Sequence, residues 1–178
     1  MKRIFIVSVF FVMCVLLSSP VFAVNKFVYP DQKNPMFEIT FPDTWKTDFD
    51  DKGVLHAYPE NWEVYWIMTV AEGGDKGNTK TEEAMTKQIN EWIKDYKYEE
   101  KAKEFKINDI DFWVWDGTGI DNYKDSKTFG KPVSVEYCEF EPKEGTVGHI
   151  VSFEDPANTK KYSEDMKSIM ESIKIIKK

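Results

Sequence analysis

From residue 37 onward the apolar residues of this chain recur with period two in short runs, and a helical spacing replaces that period at only two places. Such a pattern makes a sheet of hairpins with two one-sided helices lying on it. Successive strand side chains alternate between faces, and an amphipathic helix needs an apolar surface to cover. Phe37-Glu38-Ile39-Thr40-Phe41 alternates cleanly, and Pro42-Asp43-Thr44-Trp45 brings turn chemistry after it. Residues 54–58 and 63–71 read as further strands, followed by a flexible loop over 72–78 that carries Gly73, Gly74 and Gly77. Residues 103–107 and 110–117 flank a turn at Asn108-Asp109. Residues 132–141 and 146–154 flank Pro142-Lys143-Glu144-Gly145 as a second hairpin, with a polar loop over 120–131 between the two pairs.

The helical spacing occurs first at Met85, Ile89, Trp92, Ile93 and Tyr96, which predicts a helix over 82–97 with Thr81 as its N-cap. It returns at Tyr162, Met166, Ile169, Met170 and Ile173, before a terminal strand at Ile175-Ile176. Hairpins are antiparallel, so the fold class is α+β: an antiparallel β-sheet of six to eight strands flanked by two amphipathic α-helices. One domain over 37–178 follows an extended arm over 24–36, where Pro30 and Pro35 sit among polar residues.

The start of the chain has a different composition. A basic Met1-Lys2-Arg3, an apolar run over 4–17, and Ser18-Ser19-Pro20-Val21-Phe22-Ala23 are the three parts of a secretory signal peptide over 1–23, with cleavage after Ala23. The run is short for a bilayer span, which needs about 20 residues, and Pro20 interrupts it. Cys14 is preceded by Phe11-Val12-Met13, not by the small residue a lipid attachment site needs. The expected location is therefore exported, periplasmic or extracellular, with no transmembrane span after cleavage.

Loss of residues 1–23 leaves Cys138 alone, so no intramolecular disulfide can form and the core must supply the stability. Glu136, Glu139 and Glu141 beside it disfavour a reactive thiolate, and Cys138 reads as a buried structural residue. The same cut leaves 22 lysines, no arginine and 31 acids, a net charge of −9. Bidentate grips on phosphate are unavailable, and nucleic acid and acidic membrane surfaces are poor partners.

No catalytic constellation is visible. His56 and His149 lie far apart in predicted strands and read as hydrogen-bonded sheet histidines, without the spacing of a zinc site. Asp48, Asp50, Asp51 and Gly53 begin like a calcium loop, but the twelfth position is Pro59 where a bidentate Glu is needed. Asp116, Asp121 and Asp125 are acids of a kind that suits a hard cation, set against an ordinary solvated turn. No serine sits in a Gly-x-Ser-x-Gly elbow, and Gly73-Gly74 and Gly77 precede a helix without the Gly-Lys-Ser/Thr of a phosphate loop. No catalytic residue and no cofactor is implied.

Aromatic residues make up 15% of the chain, enough to line both faces of some strands. Phe112 and Val114 point one way and Trp113 and Trp115 the other, while Trp66 and Met68 oppose Tyr65 and Ile67. These are core if helices cover both faces. Otherwise Trp113, Trp115, Tyr65 and Tyr137 offer a ligand or partner surface.

Phe37-Glu38-Ile39-Thr40-Phe41-Pro42-Asp43-Thr44-Trp45 resembles the opening F-x-I-x-[FY]-P-x-x-W of PsbP-like proteins. The likeness extends through Ile107-Asn108-Asp109-Ile110-Asp111-Phe112 to His149-Ile150-Val151-Ser152-Phe153 and the helix around Met166 to Ile175. That group includes photosystem accessory subunits, exported bacterial proteins of the DcrB type, adaptor chaperones for secreted toxins and a regulator of a nuclear-transport GTPase. The resemblance implies a PsbP-like α/β sandwich and a binding or assembly role, with Trp45 folding back to close the end of the sheet. The expectation is thus an exported, non-enzymatic binding or accessory factor of the cell envelope, with an envelope or membrane-protein partner. A cation-binding accessory protein using the acidic loops is the alternative, and a hydrolase a distant third.

Overall fold

The computed structural model describes residues 24–176; the signal peptide expected over 1–23 lies outside the described residues, as do 177 and 178. The strands are β1 (Val24–Tyr29), β2 (Phe37–Pro42), β3 (Trp45–Phe49), β4 (Leu55–Pro59), β5 (Val64–Ala71), β6 (Ile93–Tyr98), β7 (Lys103–Ile107), β8 (Ile110–Asp121), β9 (Pro132–Phe140), β10 (Val147–Glu154) and β11 (Lys174–Ile175). The helices are α1 (Gly74–Trp92) and α2 (Thr159–Glu171).

All pairings are antiparallel, as a chain of hairpins requires. Eight strands form one sheet in the order β3-β4-β5-β10-β9-β8-β6, with β7 sharing the edge of β8, and β1-β2-β11 form a second. The period-two run of β2 places Phe37, Ile39 and Phe41 inward. They share a core with Trp66, Met68, Phe112, Phe140 and Ile150 of the large sheet and with Tyr162 and Ile169 of α2. The opposite face of the large sheet carries Ile67, Val135, Val151 and Phe153, which pack under Met85 and Ile89 of α1. Each such apolar side chain contributes about 1.5–3 kcal/mol on burial, so two filled faces can hold the domain without a disulfide. Cys138 is buried in the first core, where loss of solvent and then the charges of Glu136 and Glu139 push its thiol up.

Trp45 closes the end of the first core. It packs edge-on against Trp66 and Tyr162, and its indole N–H donates to Asp165 Oδ2 at 3.0 Å. Segment 24–29, expected as part of an extended arm, is strand β1, paired along its length with β2, and its Tyr29 is buried.

The first helix differs from the 82–97 expectation at both ends. It begins at Gly74, after Gly73 in a left-handed conformation, so much of the supposed glycine loop is its first turn and Thr81 is not its cap. Gly77 is what permits this start, because a Cβ there would lie 1.7 Å from the carbonyl oxygen of Glu72. The helix stops at Trp92, and β-branched Ile93 turns extended and leads into β6. Ile93 stays buried and Tyr96 packs against the same core, which is why the helical spacing runs on past the helix.

Candidate functional site

At one end of the large sheet, α1, the β4–β5 turn and the β8–β9 loop converge on a cleft of about 430 Å³. Its floor is apolar, made by Ile93, Val133 and Phe153. Its walls are aromatic. Trp62 and Tyr65 lie 5.6 Å apart with planes 9° from parallel, and Tyr58 stacks behind Trp62 at 3.8 Å. Trp92 stands across from them, 5.7 Å from both Tyr65 and Tyr123. Trp62 is half exposed, at 50%, and Tyr123 equally so at 49%.

Each wall is held by its backbone. Trp62 closes the β4–β5 turn with its N–H on the Pro59 carbonyl at 2.9 Å, and its φ of 60° puts a bulky residue in left-handed space. A residue of that size costs about 1–3 kcal/mol there and points to a function for the ring it presents. The β8–β9 loop is organised by Asp121, whose Oδ1 accepts the Tyr123 N–H at 2.9 Å and whose Oδ2 accepts the Thr128 hydroxyl. The last carbonyl of α1, that of Trp92, accepts the Asn122 N–H at 2.7 Å and ties the helix to the same loop.

Carboxylates crowd the rim. Glu63 is answered by Lys161 at 2.5 Å and by the Tyr162 hydroxyl at 2.8 Å, and these two donors hold its carboxyl below the usual carboxylate range. Asp121, Asp125, Glu154 and Asp155 also line the cleft, and none of them is in an ion pair among the described residues. Among the described residues Lys127 is the one cation of the lining, and its Nζ donates to the Asn61 carbonyl at 3.4 Å.

Of the aromatic residues singled out in the sequence, only Tyr65 belongs to this cleft. Its hydroxyl meets His56 Nδ1 at 2.8 Å, and burial pushes that hydroxyl far up, so it stays protonated. Trp113, Trp115 and Tyr137 lie on the same face of the sheet but toward its far side. Trp115 is cross-strand to Tyr137 and partly buried against it at 5.8 Å, whereas Trp113, opposite Glu139, is 36% exposed. Tyr137 belongs to a half-buried polar cluster: its hydroxyl lies 2.6 Å from His149 Nδ1 and 3.1 Å from Glu139 Oε1. His149 is completely buried, and its Nε2 has no hydrogen-bond partner among the described residues. Both histidines are thus the hydrogen-bonded sheet residues expected.

The three aspartates do not all gather: Asp121 and Asp125 share the cleft, and Asp116 lies outside it. Asp116 pairs with Lys103, Asp121 braces its own loop, and Asp125 stands at the cleft rim. Among the described residues no cluster of three or more ligating side chains can hold a metal ion. Asp50, in the loop that begins like a calcium site, accepts the N–H groups of Lys52 and Val54 as an ordinary turn. Trp62, Trp92 and Tyr123 are the cleft residues that the sequence did not reveal. The available signal was an aromatic in each of two polar turns, Asn61-Trp62 and Asn122-Tyr123.

No family model matches the chain, and no curated protein matches it. Solved structures do. CyanoP, the cyanobacterial PsbP of Synechocystis, superposes with a TM-score of 0.55 at 7% identity, covering 89% of this chain and 96% of its own. LpqN of Mycobacterium tuberculosis, described as involved in cell envelope biogenesis, gives 0.50 at 12% identity, covering 93% and 97%. A crystal structure from Bacteroides thetaiotaomicron gives 0.56 at 12% identity, covering 86% of this chain, which spans about half (48%) of that longer one. At these identities the likeness shows a fold similar to that of PsbP-like proteins.

Proposed function

We propose that this protein is an exported, non-enzymatic binding or accessory factor of the cell envelope, distantly akin to PsbP-like proteins, that works by holding a ligand in the aromatic cleft. The observation that carries the reading is Trp62, a half-exposed ring kept in left-handed backbone at the mouth of a concave, aromatic-walled space. Its volume falls in the range of small-molecule sites, roughly 300–1,000 Å³. A binding role also suits the residues around the cleft. Among the described residues no cysteine or histidine lines it, and the His149–Tyr137–Glu139 cluster of the sheet has its imidazole fully buried. The leader-like residues 1–23 support export, and the envelope-related description of LpqN supports the location. No helix among the described residues is long and apolar enough to cross a membrane.

Fractionation of cells producing the full chain should place the protein outside the cytoplasm. Native mass spectrometry of the protein recovered from that fraction should show a bound small molecule. A Trp62→Gly variant, which relieves the left-handed strain as it removes the ring, should keep the thermal midpoint and lose that mass. Undiminished ligand on the folded variant would sink the assignment of the cleft.

A further inference from the structure

We infer that the cleft takes an organic cation, a small molecule with an ammonium head. The inference rests on the cleft being the working site and deepens that reading by naming the chemistry of its ligand. Two independent features select a positive charge. The first is the walls: the near-parallel Trp62 and Tyr65, with Trp92 and Tyr123 inclined to them, line one space, and the face of an aromatic ring carries the negative end of its quadrupole. An ammonium group desolvated among such rings is held more strongly than one on an exposed ring, because water no longer competes for it.

The second feature is the distribution of charge. Both oxygens of buried Asp121 are used by neutral donors, Tyr123 N–H and Thr128 O–H. Asp155 accepts the Ala157 N–H, and Glu154 accepts the Thr159 hydroxyl, again neutral donors. Hydrogen bonds of this kind orient the carboxylates without cancelling them. Among the described residues only Glu63 has its charge answered, by Lys161, so the remaining acids of the lining outweigh Lys127 by four to one. A concave site with low-dielectric walls and an excess of one sign focuses its field on ligands of the other sign. An anion is repelled, and a neutral sugar stacked on Trp62 would leave that field unused. The apolar floor of Ile93, Val133 and Phe153 suits the methyl or methylene groups that surround an alkylated nitrogen.

The test compares choline chloride with 3,3-dimethylbutan-1-ol, which has nearly the same shape and no charge. Binding is followed by tryptophan fluorescence and calorimetry on the full exported chain. Choline should bind at least tenfold more tightly than the alcohol, and raising the salt from about 0.02 to 0.2 M should weaken it several-fold, because the attraction is screened. Asp125→Asn should weaken choline binding about threefold, and Trp62→Gly by tenfold or more at an unchanged thermal midpoint. Tyr98→Ala, at the exposed end of β6 opposite to Ile93, should leave it unaltered. Vesicles of phosphatidylcholine form a second arm: sedimentation of the protein with them would assign the ammonium to a lipid headgroup, and binding of choline alone would assign it to a free molecule. Equal affinity for choline and the alcohol would overturn the inference. So would binding of a neutral saccharide such as maltose in place of choline, lost in Trp62→Gly, although the cleft would then survive as the working site. Silence toward every probe, together with no native ligand in the mass spectrum, would remove both.

Discussion

Replacing Gly148 by alanine should destabilise the protein by about 1–3 kcal/mol, the usual cost of overpacking a full core. Gly148 lies on β10 directly opposite Phe140 of β9, and a Cβ at that position would meet two carbons of the Phe140 ring at 2.4 and 2.5 Å. Ordinary carbon contacts are about 3.5–4.0 Å, so the ring must retreat by about 1 Å or the strand must bend away. The ring has nowhere to go. Phe140 is fully buried, with Phe37 centred 5.2 Å away on one side and Phe112 at 5.3 Å on another, both themselves fully buried. For a chain of this size each kcal/mol moves the thermal midpoint by about 2–4 °C, so a loss of about 2–12 °C is expected. Urea unfolding of Gly148→Ala, Phe140→Leu and the double variant, followed by tryptophan fluorescence, supplies the decisive comparison. Because Phe140→Leu removes ring atoms that the new methyl group would strike, the double variant should be more stable than the summed single costs allow, by about 1 kcal/mol or more. An unchanged midpoint for Gly148→Ala, or strict additivity in the double variant, would refute the packing argument.

Tyr137→Phe should cost about 1–3 kcal/mol, since both His149 Nδ1 and Glu139 Oε1 lose the hydroxyl they share in a buried setting, whereas Tyr98→Phe on the surface should cost nothing measurable by the same urea titration. Glu63 carries a pH signature. Its folded pKa lies below the unfolded value of about 4.3, so its contribution is complete above that value and fades as pH falls through the depressed one. Between about pH 5 and pH 3 the unfolding midpoint of Glu63→Gln should therefore drop less than that of the parent, and parallel pH profiles would contradict the pairing with Lys161 and Tyr162. Cys138 should resist a disulfide reagent in the folded protein and react in urea, because burial and then the charges of Glu136 and Glu139 disfavour its thiolate; rapid modification of the native chain would show that it is not enclosed.

What local periodicity encodes, the structure reproduces. Phe37, Ile39 and Phe41 alternate inward as written, both hairpins form, and the terminal helix buries Tyr162 and Ile169. The first helix shows where periodicity misleads. Ile93 and Tyr96 continue the apolar spacing of α1, yet they reach the same core from a strand, because both elements end against one sheet face. Its early start depended on a contact, Gly77 against the Glu72 carbonyl, that no spacing rule registers. The cleft was less legible still. Trp62, Trp92 and Tyr123 come from a turn, a helix end and a loop, and nothing local marks them as neighbours; only the sheet order brings the three together. Tyr65 was visible because it lies on a two-faced apolar strand, and Asp121 and Asp125 because they are acids in a loop, but their roles follow from their partners.

Strand β2 is flanked by β1 on one side and by β11 on the other, so Glu38 pairs with Lys174 across most of the described chain. Contacts this far apart in sequence close the longest loops, which makes their formation slow and late relative to local hairpins. The large sheet can assemble from neighbouring strands, but the β11 edge of the small sheet and the α2 side of the core await residues 159–175. Until then Phe37, Phe41 and Trp45 lack their cover from Tyr162 and Ile169, and the chain cannot seal. A chain that lacks residues 159–175 is thereby kept open by its own topology. A version stopped before residue 159 should stay open to protease however long it is given to fold.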